Sequence, residues 1–232
     1  MKTLLKLRGF QFFLWTQFLG ALNDNLYKMI VSLRAVYVAA QTGQGGEYLS
    51  IALGVFSIPF LLFSGYSGYF ADRFSKRTVL IAVKVFEIGV MALGVAVFFS
   101  TEVRLMLIVL FLMALHSTIF SPAKYGIVPE IAGDKDLTRA NALLEMTTFV
   151  AIILGTALGG LMFKLWKAEP WNMGFVMVGI AVAGFATSLG ITRTGKNIFR
   201  WQRTSANRDE ILSTSLRASG VARRGCGADG PG

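Results

Sequence analysis

The apolar residues of this chain fall into blocks of roughly twenty, the length a helix needs to cross a hydrocarbon core of about 30 Å. Six blocks can be placed: about Phe10–Val38, Leu49–Phe70, Val79–Phe99, Val103–Phe120, Ala142–Leu165 and Met173–Ile191. Within a bilayer every backbone polar group must be satisfied by the protein, which leaves helices or a closed barrel. A barrel would show alternating segments of about ten residues instead. The pattern therefore predicts an all-α membrane protein, a six-transmembrane-helix bundle. Composition agrees: 54% of residues are hydrophobic and 16% charged, against about a quarter charged in soluble domains. Trp15, Trp166 and Trp171 fall near block ends, where amphipathic rings settle.

The net charge is +10, and its distribution speaks for topology rather than nucleic acid. Residues 193–232 hold eight Lys/Arg and three Asp/Glu, and the other +5 lies mostly in short loops. Lys2, Lys6, Arg8, Arg73, Lys76, Arg77, Lys124, Lys135 and Arg139 fall on one side, and Arg104, Lys164 and Lys167 on the other. The positive-inside rule then puts both termini in the cytoplasm. The loop Gln41–Tyr48, with Glu47 and no basic residue, fits the outer side. The first block is too long for a cleavable signal peptide and carries Asn23-Asp24-Asn25 inside it. After Ile191 the composition turns to Arg, Ser, Thr and Gly. The chain thus divides into a transmembrane unit, 1–192, and a basic tail, 193–232, expected to be disordered because it cannot bury enough apolar surface. The tail reads either as a natural cytoplasmic extension or as a frameshifted or truncated end.

Charges at membrane depth cost at least about 2.5–3.5 kcal/mol each on insertion scales, so each needs a reason. The first block carries Asn23, Asp24, Asn25 and Lys28. Asp24 and Lys28 are four apart, which places them on one helix face and allows a local pair. That face is either a neutralised buried pair or the wall of a hydrophilic cavity that contacts substrate or carries a coupling proton. Lys84 and Glu87 in the third block are three apart, again a local pair. His116 has no Cys, Asp or Glu in ligand spacing and reads first as a packed, hydrogen-bonded residue rather than a metal ligand. Gly155, Gly159 and Gly160 let helix backbones approach closely. Cys226 is the only cysteine, so no disulfide framework or thiolate metal site is expected. No P-loop, nucleophile elbow or zinc spacing is present, so neither an enzyme nor a cofactor is expected.

Between the second and third blocks runs Gly68-Tyr-Phe-Ala-Asp72-Arg73-Phe-Ser-Lys76-Arg77. Gly68 would allow close helix contact. Asp72 would accept N–H bonds at the start of the third helix, and the basic residues would hold a neighbouring helix. This segment resembles the loop after the second span of major facilitator superfamily transporters, with Phe70 and Ser75 as departures. Gly20-Ala-Leu-Asn-Asp-Asn-Leu-Tyr-Lys28, Ser121-Pro122-Ala-Lys124-Tyr125-Gly126-Ile-Val-Pro-Glu130 and Leu137-Thr-Arg-Ala-Asn-Ala-Leu-Leu-Glu145 resemble the lysophospholipid transporter branch. The resemblance covers about residues 8–192. It implies one six-helix half of a fold whose two halves are related by an axis along the membrane normal. It also implies an amphipathic lysolipid substrate moved across a bacterial inner membrane by alternating access. By this resemblance Asn23, Asp24, Asn25 and Lys28 become cavity residues. Lys84 and Glu87, read first as a structural pair, stand beside them as substrate-cavity or coupling candidates from their place in the membrane. Pro122, Lys124, Tyr125, Gly126 and Glu130 form a cytoplasmic motif after the fourth helix. Its implied partners are the lipid bilayer, a second six-helix half, and a lysolipid acyltransferase/acyl-carrier-protein synthetase.

Two other functions stay open. One is a truncated, non-transporting membrane anchor or interaction protein. The other is a drug/proton antiporter half, against which stand Thr156 where the antiporter motif has Pro and Ala151 where it has Gly.

Overall fold

The computed structural model describes the backbone of residues 4–42, 45–100 and 102–191, so the tail expected at 193–232 lies outside the described residues. Six α-helices follow one another: α1 Arg8–Thr42, α2 Gly45–Arg73, α3 Lys76–Ser100, α4 Val103–Ala132, α5 Leu137–Trp166 and α6 Trp171–Leu189. By length and composition α2 to α6 can each cross a membrane. α1 is the longest, with 35 residues, and its apolar run is broken by the polar residues read above.

Most helices overrun the apolar blocks that announce them, because adding a residue to an existing helix gains a hydrogen bond without a new nucleus. Three expectations change as a result. The outer loop expected over 41–48 shrinks, since α1 reaches Thr42 and α2 begins at Gly45. The segment 68–77 is not a free loop either. Gly68 to Arg73 complete the last turns of α2, Phe74 and Ser75 make the turn, and Lys76 and Arg77 open α3. The side-chain cap there comes from Ser75, whose Oγ accepts from the Thr78 backbone N–H at 3.2 Å. Asp72 sits in the final turn of α2, and its side chain lies outside the described residues.

The third correction concerns the motif expected after the fourth helix. Pro122, Lys124, Tyr125, Gly126 and Glu130 all lie inside α4, which runs on to Ala132. Pro129 lies inside it as well as Pro122, and helices in a bundle tolerate proline where neighbours re-satisfy the freed carbonyls. Packing carries the helix through them. Phe120, Ala123, Lys124, Ile127 and Val128 are all buried, the i, i+3, i+4, i+7, i+8 spacing of one helix face. α4 stops at Gly133, whose positive φ of 72° is one that glycine adopts without the strain a side chain would bring.

α1 is the central element, packed along α5, α6, α2 and α4, while α3 packs on α4 and α6. The α1–α5 seam is close. A Cβ on Gly155 would stand 2.7 Å from the Leu22 carbonyl oxygen, and one on Gly159 would stand 3.0 Å from the Met29 Cβ. Small residues are what let backbones meet in a membrane, where dispersion rather than water exclusion holds helices together. Gly160 is in ordinary contact, 3.9 Å from the Met29 Cε.

Two apolar cores lie at opposite ends of the helices. One gathers Leu26, Tyr27, Met91, Phe98, Met106, Leu110 and Met177. The other gathers Phe10, Phe13, Leu80, Phe120, Ile127 and Leu144. In α3, α4 and α5 the polar residues fall between the two: Lys84 and Glu87, His116 to Thr118, and Thr147 and Thr148. In α1 Gln17 does so too, with Asn23 and Asp24 just past Leu22 of the first core, and in α6 Thr187 and Ser188 lie between the first core and Ile191 just beyond the helix. The bundle is thus cut at mid-height by a polar layer.

Candidate functional site

The polar layer is built around Glu87. Its side chain is fully buried, and so is that of Lys84 one turn earlier on α3. The Lys84 ammonium donates to Glu87 Oε2 at 2.6 Å, so the local pair expected at this spacing is formed. Asn23 of α1 donates its amide N–H to Glu87 Oε1 at 3.0 Å. The Lys84 stem has room because glycines face it. Its Cε stands 3.6 Å from where a Cβ on Gly20 would be, and its Nζ 3.5 Å from a Cβ on Gly184. The ammonium also lies 5.3 Å from the centre of the Phe120 ring, a cation–π distance.

From Glu87 the cluster crosses to α4 and returns to α1. His116 Nε2 is 3.3 Å from Glu87 Oε2, and His116 Nδ1 is 3.9 Å from Asp24 Oδ1. The Ser117 hydroxyl donates to Asp24 Oδ2. The pairing of Asp24 with Lys28 expected from their spacing gives way to this arrangement. Lys28 instead lies over the Phe56 ring, 5.0 Å from its centre. A partner on another helix can approach a carboxylate head-on, whereas an i, i+4 pair must bend two side chains along one surface. Asn25 also stays outside the cluster, donating to the Ala21 carbonyl at 2.8 Å.

Beside this cluster is a cavity of about 230 Å³, lined by Asp24, Asn25, Lys84, His116 and Ser117, by Gln17, Thr148 and Lys124, and by the rings of Phe56, Phe60 and Phe120. Its wall therefore carries both signs of charge on an aromatic ground, a surface matched to an amphipathic molecule. Gln17 is tied to α5 by hydrogen bonds to the Leu144 carbonyl, Thr147 and Thr148, the last at 2.8 Å. Lys124 donates to Thr148 at 3.3 Å and sits 3.9 Å from Glu145.

A second set of polar contacts closes the α2–α3 end. Lys76 pairs with Glu130 of α4 at 2.9 Å, and its stem fills the space that a side chain at Gly126 would need. Arg77 donates to the carbonyls of Ile191 at 2.7 Å and Leu189 at 2.9 Å, beyond and at the end of α6. Cations are favoured at that end of a helix. Tyr125 donates to Glu145 at 2.6 Å, joining α4 to α5. Arg73 turns back on its own helix toward the Tyr69 hydroxyl at 2.8 Å. Gly68, expected at a close helix contact, has no described atom within 4 Å of its would-be Cβ.

Of the residues singled out from sequence, the fold brings Asn23, Asp24, Lys84 and Glu87 into one cluster. Asn25 and Lys124 join them on the cavity wall. Pro122, Tyr125, Gly126 and Glu130 belong to the α2–α3 end or the α4 helix around it. Ser117, Gln17 and Thr148 escaped sequence reasoning. Gln17 was within reach, since it stands seven residues before Asp24 and so on the same helical face. Ser117 and Thr148 carry no such signal.

The sequence profile described as Major Facilitator Superfamily matches residues 14–204. A lysophospholipid transporter of Photorhabdus laumondii is 29% identical over 202 residues, covering 82% of this chain and 46% of that protein. A lysophospholipid transporter of Escherichia coli O1:K1 is 30% identical over 228 residues, covering 93% of this chain and 52% of the relative. One from Klebsiella pneumoniae is 30% identical over 151 residues, 63% of this chain and 34% of its own. The chain thus spans about half, or less, of the length of the curated relatives it matches.

Proposed function

The chain belongs to the major facilitator superfamily, and from that premise we propose that it forms one six-helix half of a lysophospholipid transporter. The transporter sits in the bacterial inner membrane with both ends of this bundle in the cytoplasm. It moves a lysolipid by alternating access, this half rocking against a second six-helix body. Transport runs on the substrate's own gradient or on an ion gradient. The curated relatives are transporters, and their name supports the substrate class. The observation that carries the reading is the cavity. A pocket walled by Asp24, Lys84 and Lys124 among phenylalanine rings suits a molecule with a charged headgroup and an acyl chain. It also accounts for charges that a purely apolar bundle would exclude. Asp24 would face the headgroup, and Asn23, Lys84 and Glu87 would hold it in place. Lysolipid delivered by this route would pass to an acyltransferase/acyl-carrier-protein synthetase for re-acylation.

The test is uptake of radiolabelled lysophosphatidylethanolamine by spheroplasts that lack their own lysolipid transporter. The chain would be expressed together with the second half of a relative. Uptake above the empty-vector level, reduced at least about tenfold by Asp24→Asn at equal membrane abundance, is the expected result. Uptake unchanged by that substitution would reduce Asp24 to a structural residue. Uptake no higher than the empty vector would remove the lysolipid assignment.

A further inference from the structure

Among the described residues of the polar layer, Asn23 and Asp24 each leave one buried oxygen without a hydrogen-bond partner, and His116 leaves both of its ring nitrogens so. His116 is 2% exposed. Yet it stands between two carboxylates from two helices, Nε2 at 3.3 Å from Glu87 and Nδ1 at 3.9 Å from Asp24. The charges around it do not balance. α1 presents Asp24 and the neutral Asn23, and α3 presents Glu87 and Lys84. α2 presents Phe56 and Phe60, and α5 Thr148 and Ile152. α6 has no charged residue. Lys28 lies over Phe56, and Lys124 is turned toward Glu145 and Thr148. Two carboxylates are thus set against one ammonium, that of Lys84, which is bonded to Glu87, so the ionised set has one negative charge over at membrane depth.

We propose that His116 is a proton-binding site whose proton completes the charge balance of this cluster and ties α3 to α1 through Glu87 and Asp24. In the neutral imidazole one nitrogen carries a hydrogen and the other does not, so at most one carboxylate is served. Taking up a proton from the cavity puts N–H on both nitrogens, one facing Glu87 Oε2 and the other Asp24 Oδ1. The cluster then goes from a net −1 to neutral. Releasing the proton to the cavity frees Asp24 for a cation or a cationic headgroup. The cavity gives the path, since Asp24 and His116 both line it. The site goes beyond the transport proposal and holds whatever solute the cavity takes.

The chain contains a single histidine, which makes the test direct. The full chain, carrying a histidine-free affinity tag and ¹⁵N-labelled histidine, is placed in lipid nanodiscs. Its imidazole nitrogens are followed by NMR from about pH 5 to about pH 8, the range in which histidine changes charge. The expected result is a doubly protonated ring at low pH that loses one proton as pH rises. The midpoint moves to lower pH in Asp24→Asn and in Glu87→Gln, because each removes a carboxylate that favours the charged ring. A ring that stays neutral down to the lowest pH would place the proton on a carboxylate and overturn the proposal, with no variant needed. A midpoint unmoved in whichever of the two variants folds would overturn it as well. Because no transport is measured, failure of the lysolipid assignment and failure of the proton site cannot be confused.

Discussion

At mid-height Lys84 and Glu87 meet with side chains 1% and 0% exposed, whereas at the α2–α3 end Lys76 and Glu130 meet with 14% and 16%. Both are salt bridges under 3 Å, yet they sit in opposite situations. At the end of the bundle the contacts are separate clasps: Lys76 has Glu130, Arg77 has the carbonyls of Leu189 and Ile191, and Tyr125 has Glu145, which also stands 3.9 Å from Lys124. In the middle, partners are shared, and Asn23, Lys84 and His116 all converge on Glu87. A one-to-one clasp makes a fixed joint. A shared cluster can trade one partner for another, and the alternating access proposed above calls for such exchange at the centre of the bundle rather than at its end.

If that contrast is right, the largest stability loss follows from breaking the central pair. Lys84→Met leaves Glu87 buried without its cation, and removing one partner of a buried pair costs about 3–5 kcal/mol. Thermal unfolding in detergent, read by circular dichroism, should show it. The double variant Lys84→Met/Glu87→Gln should recover part of the loss, since the charge on Glu87 is gone while that of Asp24 stays. A Lys84→Met variant as stable as the parent would mean that the central cluster is no tighter than a surface pair.

Next comes the seam that holds α1 and its Asn23-Asp24 segment in place. Gly155→Ala drives a methyl to within 2.7 Å of the Leu22 carbonyl oxygen, and backbone cannot yield as a side-chain tip can. A loss of about 1–3 kcal/mol is expected, measured in the same melt. Gly160→Ala, 3.9 Å from a flexible methionine methyl, is its control and should be nearly silent.

At the α2–α3 end the effects should be smaller. Arg77→Gln gives up the donors to Leu189 and Ile191, one of those bonds being exposed. A cation at a helix C-terminus contributes about 0.3–1 kcal/mol, so the melt should move by only a few degrees. The more telling readout is protection of the amide hydrogens in the last turn of α6, which should fall while those around Glu87 hold. Loss of protection in both regions together would erase the distinction between joint and centre.

How far the sequence discloses this arrangement depends on the range of each contact. Lys84 and Glu87 are three residues apart, and one turn of helix brings them together whatever the rest of the chain does. The α1–α5 seam also announces itself, since glycines at positions 155 and 159 make one small-residue face. His116 is different. Its neighbours are 29 and 92 residues away in sequence, and no local spacing marks a histidine that three helices must be assembled to enclose. Asp24 shows the same limit from the other side. Its spacing to Lys28 offers a pair, but from α4 the Ser117 hydroxyl donates to it and His116 stands 3.9 Å away. The expectation that α4 ends near Phe120 fails for a related reason: the burial of Ala123, Ile127 and Val128 that accompanies its continuation is a tertiary fact.

Gly68 gives the smallest effect and the sharpest check on the α2–α3 end. Sequence spacing assigns this glycine a close helix contact, as at Gly155, but its would-be Cβ meets no described atom within 4 Å. With nothing to strike, an added methyl brings only the higher helix propensity of alanine. Gly68→Ala should therefore leave the isolated chain unchanged or raise its stability by up to about 1 kcal/mol. A destabilisation comparable to that of Gly155→Ala would show that something covers this face of α2. Repeating the melt across a range of protein-to-detergent ratios would then identify the cover. A loss that vanishes on dilution belongs to a second copy of the chain, and one that persists belongs to this chain's own residues near the end of α2.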